Sequence, residues 1–169
     1  MTPPMTPLGF EIRAGVASDS ECLARLNAGV HAGHLRERPG FFRATDAGEL
    51  AEWFRELLFK ATTRCWIASV DAQPVGYLLM REHQRAATVF CLARHWHEIE
   101  QIGVETQFRR RGIARALIEV ALAAAAATGA RDVELASWSF NRDAHALFER
   151  CGFAPRLLRF DRRLQGPPR

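Results

Sequence analysis

Apolar residues change their spacing several times along the chain, and each change marks an element. Phe10-Glu-Ile-Arg13 alternates apolar and polar positions, the period of a strand with one buried face. From Cys22 the period lengthens. Cys22, Leu23, Leu26 and Val30 share one helical face, and Ser18 or Asp19 ahead of them can accept the free amides of a helix start. Residues 31–43 lose the period and contain the breaker Pro39-Gly40, so they read as irregular. Thr45 or Asp46 then caps a second helix, in which Leu50, Trp53, Phe54, Leu57 and Leu58 form one apolar stripe. The apolar runs Cys65–Val70 and Val75–Met80 flank the turn Asp71-Ala-Gln-Pro74 and predict an antiparallel hairpin.

Beyond the hairpin, residues 81–94 read as a long loop with a short strand over Thr88–Leu92. Trp96–Val104 reads as a strand, with more polar residues than a central position usually carries. Gly112 opens a helix that runs to about Thr128 and is closed by Gly129. Val133–Trp138 is a strand, Asn141–Arg150 a helix closed at Gly152, and Phe153–Leu164 predicts one or two final strands. The predicted order is β-α-α-β-β-β-α-β-α-β. This is an α/β fold with a mixed, mostly antiparallel sheet flanked by helices, and its early hairpins exclude a doubly wound sheet. Neither repeat nor linker interrupts it, which predicts one domain over residues 10–164 with loose tails at 1–9 and 165–169.

Composition changes this picture little. A hydrophobic fraction of 48% with 11 Phe and 4 Trp can fill a core and excludes a disordered chain. No apolar run approaches the roughly 20 residues of a membrane span, and the start lacks a basic segment of the signal-peptide kind. The expected location is therefore the cytoplasm, with no membrane partner. Cys22, Cys65, Cys91 and Cys151 are scattered, without C-x-x-C or histidines at zinc spacing, so free thiols and no metal site are expected.

Charge is more informative locally than in total. The net charge of +4 favours anionic partners in general. Arg109, Arg110, Arg111 and Arg115 concentrate it where a strand ends near Val104 and a helix begins near Gly112. Amides at a helix start are unpaired, and the macrodipole adds positive potential. Gly112 lets an oxygen approach the backbone, Ala114 is also small, and the arginines add charge-assisted donors, so a diphosphate fits this turn. A solvated basic turn is the bland reading of the same residues. An arginine run can also contact nucleic acid, but only Phe108 accompanies it as an aromatic, which ranks that partner lower.

At these residues the chain resembles the GNAT superfamily of N-acetyltransferases. Arg109-x-x-Gly112-x-Ala114 is similar to that superfamily's pyrophosphate motif. Asn141-x-x-Ala144-x-x-Leu147-Phe148-x-x-x-Gly152-Phe153 is similar to its N-x-x-A-x-x-L-Y-x-x-x-G-F element. Leu26-Asn27, Val30-His31, His34, Pro39 and Phe42 resemble the first-helix region of bacterial members. The resemblance implies a GNAT-like fold and acetyl-CoA as co-substrate. It implies that Ile102, Gly103 and Val104 offer backbone bonds to the pantetheine arm, with an amide near Ile102 donating to the thioester carbonyl. Arg109, Arg110, Arg111, Gly112, Ile113, Ala114 and Arg115 would hold the pyrophosphate. Asn141 would bond near the pantetheine or cap the last helix, and Phe148 would lie beside the sulfur.

The implied reaction is direct attack of a primary amine on the thioester in a ternary complex. A lysine-like amine has a pKa of about 10, so a base is useful at neutral pH. Glu98 and Glu100 place two carboxylates on one face of their strand, two residues apart. Glu98 matches the position of the usual glutamate base, and Glu100 an acidic position of bacterial relatives. Either is the expected base, while His97 points to the other face. The chain departs from the family where a tyrosine often protonates the leaving thiolate, because Phe148 cannot donate a proton. Ser139, His145, Cys151 or water would have to serve. Residues 31–42 and 81–94 should line the acceptor pocket, and their histidines and arginines suit an amine that carries an anionic group. The expected partner is a small-molecule or peptide amine, with a homodimer also open. Two other readings use the same residues: an acyl-CoA sensor that lost catalysis with the tyrosine, and an acetyltransferase directed at tRNA.

Overall fold

A computed structural model of the chain describes residues 9–162 and 164. The expected tails, Gly9 apart, lie outside the described residues. The elements run β1 (Glu11–Ala14), α1 (Ser20–Glu37), α2 (Ala47–Leu58), β2 (Thr63–Val70), β3 (Gln73–Arg85), β4 (Arg94–Val104), α3 (Ile113–Ala126), β5 (Asp132–Leu135) and α4 (Arg142–Arg150). Short 3-10 turns precede α1 at Ala17–Asp19 and follow β4 at Thr106–Phe108. The strands form one sheet in the order β1-β2-β3-β4-β5; neighbours among the first four are antiparallel, and β5 lies parallel to β4. The mixed, mostly antiparallel sheet predicted from the pattern is therefore present, and the element order agrees through α4.

Alternation along β3 sends its side chains into two cores. Tyr77 and Leu79 join Leu23, Leu26, Phe54 and Ile67 beneath α1 and α2. Leu78 and Met80 join Ile99, Ile113, Leu117, Ile118 and Phe148 beneath α3 and α4. Val75 to Met80 is buried without interruption, as a strand covered on both faces requires. Asp46 caps α2 by accepting the Glu49 amide at 2.8 Å. Asp19 starts α1 without capping it; its carboxylate takes both Arg13 guanidinium nitrogens, at 2.7 and 2.8 Å, and the Val16 amide.

Five expectations need correction. α1 continues through Glu37 where irregular chain was expected, because Ala32, Leu35, Arg36 and Glu37 are good helix formers. It stops one residue before Arg38, which Pro39 excludes from the helical region. β3 extends to Arg85 where a loop was expected, because its polar residues pair across the sheet: Arg81 with Glu100, and Glu82 with His95. The strand expected over Thr88–Leu92 is instead a loop held by the Thr88 hydroxyl, which accepts the amides of Phe90 and Cys91, while Val89, Phe90 and Leu92 point into solvent. β5 ends at Leu135 rather than Trp138. No strand forms among the described residues after Phe153, where Leu157, Leu158 and Phe160 remain exposed. Alternating residues make a strand only where a neighbour accepts their backbone bonds, and this segment pairs with none.

Candidate active site

The site is built on the part of β4 that β5 leaves uncovered. β5 pairs with β4 only from Trp96 to Ile99, opposite Asp132 to Leu135. From Glu100 to Val104, β4 has β3 on one side and no strand on the other. The Glu105 amide bonds to the Val75 carbonyl at 2.8 Å, and Val104 sits opposite Gly76. Antiparallel pairs alternate between bonded and unbonded residues. Gly103 and Gln101 therefore bond to β3, whereas Ile102 and Val104 direct their amides and carbonyls to the open edge. On that edge Val104 accepts the Arg109 Nε–H at 3.0 Å.

A bulge shapes this stretch. Leu79 lies opposite Gln101, and Met80 opposite Ile99, so Glu100 is an extra residue in β4. The bulge lets Ile99 and Ile102, three residues apart, both join the core under α3. Glu98 and Glu100 still share the α1 side of the sheet, as expected, but their surroundings differ. Both Glu100 oxygens meet Arg81, at 2.6 and 2.7 Å. Glu98 makes no hydrogen bond among the described residues. Its nearest basic side chain is His83, whose Nε2 lies 3.5 Å from Glu98 Oε2 and whose ring stacks on Trp96 at 5.1 Å. His97 faces the α3 side, as expected, and its Nε2 lies 2.9 Å from the Thr128 hydroxyl.

A polar triangle beside Gly103 is not visible in the sequence. Tyr77, wholly buried, donates to Gln101 Oε1 at 2.9 Å, and Asn27 of α1 donates to the Tyr77 oxygen at 2.8 Å and to Gln101 at 3.1 Å. Burial pushes the Tyr77 phenol well above its ordinary pKa, so it stays a neutral donor. Gly103 fits because it has no side chain: a Cβ there would come within 2.9 Å of both Tyr77 Cε1 and Val30 Cγ2. The only sequence signal was the single tyrosine inside an otherwise aliphatic strand.

At the end of β4 the chain turns tightly into α3. Arg25 of α1 ties this turn down by pairing with Glu105 and donating to the Pro74 carbonyl at 2.8 Å. Arg110 (φ 60°) and Gly112 (φ 82°) are both left-handed, a conformation that glycine adopts freely and arginine does not. No side chain caps α3, and its first backbone bond runs from Ala116 to the Gly112 carbonyl at 3.0 Å. The amides of Ile113, Ala114 and Arg115 are thus the unpaired helix-start donors. Arg109, Arg110 and Arg111 are exposed around them; Arg111 lies over the Phe108 ring, and Arg115 bonds Glu119 at 2.8 Å. A concavity of about 290 Å³ opens beside this turn, lined by Leu26, Val30, Val104, Thr106 and Arg109 among others.

The remaining expected residues sit apart from one another. Asn141 starts α4 without a side-chain capping bond and is exposed, which removes the capping role. Phe148 is 8% exposed, packed in the core under α3 and edge-on to Phe153. Phe41 and Phe42, which follow α1, meet Trp138, which follows β5, with ring centroids 5.1 and 5.4 Å apart, and His34 stacks on Phe42. The Arg38 guanidinium lies 5.1 Å from the Trp138 ring.

An antiparallel sheet that parts from a parallel fifth strand, with a basic helix start at the parting, defines an acyltransferase-type α/β protein. The chain belongs to the acetyltransferase (GNAT) family, whose model matches residues 30–153. The transferase class expected from the sequence is shown with it. Solved structures agree in fold. A mutant of the BH1408 protein of Bacillus halodurans is 23% identical, with a TM-score of 0.86 over 92% of this chain and 99% of that one. A ribosomal-protein-alanine N-acetyltransferase of Brucella melitensis biovar Abortus 2308 is 21% identical, with a TM-score of 0.70 over 92% and 99%. Aminoglycoside N-acetyltransferase AAC(6')-Iy in complex with CoA is 19% identical, with a TM-score of 0.69 over 97% and 100%. No curated protein matches the chain by sequence. None of the described helices is long and apolar enough to cross a membrane.

Proposed function

We propose that this chain moves the acetyl group of acetyl-CoA onto a primary amine by direct attack in a ternary complex. The observation that carries the reading is the uncovered edge of β4 at Ile102–Val104, running into the unpaired amides of Ile113, Ala114 and Arg115. A long cofactor with an amide-bearing arm at one end and a diphosphate further along matches these two sets of donors. Arg109, Arg110 and Arg111 would add charge to the diphosphate seat. The Ile102 and Val104 backbones would pair with the arm, and the Ile102 amide would donate to the thioester oxygen as negative charge develops there.

Acetyl-CoA supplies an acetyl carbon activated by sulfur. The amine nitrogen bonds to that carbon, the carbon–sulfur bond breaks, and one proton must leave the nitrogen. We assign that proton to Glu98, directly or through a water, because its oxygens carry no hydrogen bond while both oxygens of Glu100 are taken by Arg81. Glu100 then positions and balances charge. Phe148 has no proton to give, so the departing thiolate takes one from solvent; its pKa of about 8.5, by analogy with cysteine, makes this easy.

Similar folds acetylate quite different amines, an aminoglycoside and a ribosomal-protein alanine by their names. The aromatic wall of Phe41, Phe42 and Trp138, with Arg38 and His34, suits an acceptor with a flat or apolar body and an anionic group near the amine. The test is thiol release from acetyl-CoA across amino acids, peptides, polyamines and aminoglycosides. Acceptor-dependent release supports transfer. Tight acetyl-CoA binding without release to any amine would favour the sensor reading instead.

A further inference from the structure

On the opposite face of the sheet from Glu98 and Glu100, three side chains converge that the transfer chemistry does not use. His95 and His97 alternate on β4, and Glu82 of β3 lies directly across from His97. One ligand atom from each of Glu82, His95 and His97 lies within 4.8 Å of the other two. We propose that Glu82, His95 and His97 form a binding site for one divalent transition-metal ion of the zinc class.

The tautomer of His97 is set by its neighbours. The Thr128 hydroxyl donates its proton to the Ala125 carbonyl at 2.8 Å, so toward His97 it can only accept. His97 Nε2, 2.9 Å away, therefore carries the proton, and Nδ1 carries a bare lone pair. That Nδ1 is buried without any hydrogen-bond partner, on a side chain only 1% exposed. An unused buried acceptor is costly, and the arrangement matches a metal-ligating histidine, whose second nitrogen donates to a fixed oxygen behind it. Glu82 and His95 complete the group: His95 Nε2 is 2.7 Å from Glu82 Oε1, and both side chains are about one-quarter exposed, which leaves an entry path.

Two imidazoles and one carboxylate suit zinc or a similar borderline ion, with a fourth position left for water. Bond lengths of about 2.0–2.2 Å imply ligand atoms roughly 3.3 Å apart, so small side-chain rotations close the site. Arg64 is a positive neighbour of His97 and would oppose a cation there. A bound ion would tie β3 and β4 together and, through Thr128, to the end of α3. This differs in kind from a cysteine-based zinc site. Its sequence signal is His-x-His on one face of a strand with Glu82 contributed by a neighbouring strand, a pairing visible only once β3 is known to extend past Met80.

The test uses the untagged full-length protein, stripped with a chelator and titrated with Co²⁺ while visible absorption is recorded, followed by displacement with Zn²⁺. We expect one saturable equivalent with the intense bands of a low-coordinate cobalt site, lost on adding Zn²⁺. Glu82→Gln and His95→Asn, whose partly exposed positions spare the core, should each weaken binding at least about tenfold while thermal unfolding of the metal-free protein confirms that they fold. Absence of saturable binding, or wild-type affinity in either variant, would overturn the site.

Discussion

Glu98 and Glu100 carry identical carboxylates two residues apart, and their neighbours give them different surroundings. Arg81 occupies both oxygens of Glu100, while Glu98 has only His83 nearby at 3.5 Å. Glu98→Gln should therefore lower turnover about 10²–10⁴-fold with acetyl-CoA affinity unchanged, the usual worth of a positioned base. The deficit should shrink as pH rises, because the acceptor amine deprotonates without help. Glu100→Gln should cost less and show no such recovery. Steady-state rates of both variants across pH check this, and a larger, pH-dependent loss in Glu100→Gln would reverse the assignment. The sequence identified both carboxylates and their shared face by simple alternation. It did not separate them, because the bulge at Glu100 and the partner on β3 are long-range facts. The Asn27–Tyr77–Gln101 triangle was hidden for the same reason: its members lie 24 to 74 residues apart.

At the level of elements, the proposed function depends on β4, which borders β3 along its length and β5 along only its first half. α1 presses against the half that β5 leaves, and Gly103 sets how closely. Gly103→Ala would place a methyl 2.9 Å from Val30 and from the ring of Tyr77, which is wholly buried and has no room to retreat. We expect a loss of about 1–3 kcal/mol in stability, read by denaturant unfolding, with acetyl-CoA binding weakened because the strand backbone shifts. Wild-type stability would mean that α1 packs more loosely on β4. Most elements were legible from periodicity, including both helices after the basic turn at residues 109–112. The misses share one cause. α1 and β3 run past their apolar cores on helix propensity and on cross-strand ion pairs, whereas residues 153–162 have strand-like alternation and no partner strand.

Across the whole molecule, the two cores on either side of the sheet make burial a graded label. Cys91 is exposed on the β3–β4 loop, Cys22 and Cys151 are half-covered, and Cys65 is buried beneath α1 and α2. A thiol reagent should modify Cys91 first and reach Cys65 only as the protein unfolds, as followed by mass spectrometry over time. Burial also pushes the Cys65 pKa up from 9.0 to about 12. The folded state thus keeps a proton that the unfolded chain releases above pH 9. Its contribution to stability is intact below that pH and is lost between about 9 and 12, so alkaline unfolding should be blunted in Cys65→Ala relative to its own stability at neutral pH. The proposed cofactor site lies where β4 opens and α3 begins. It is tested most directly by calorimetric titration of acetyl-CoA into wild type, Gly112→Asn and Gly112→Asp. Asparagine tolerates the left-handed backbone and adds no charge, whereas aspartate brings a negative charge to the proposed diphosphate seat. The account predicts binding by wild type, weaker binding by Gly112→Asn and none by a folded Gly112→Asp; equal affinity in wild type and Gly112→Asp would contradict it.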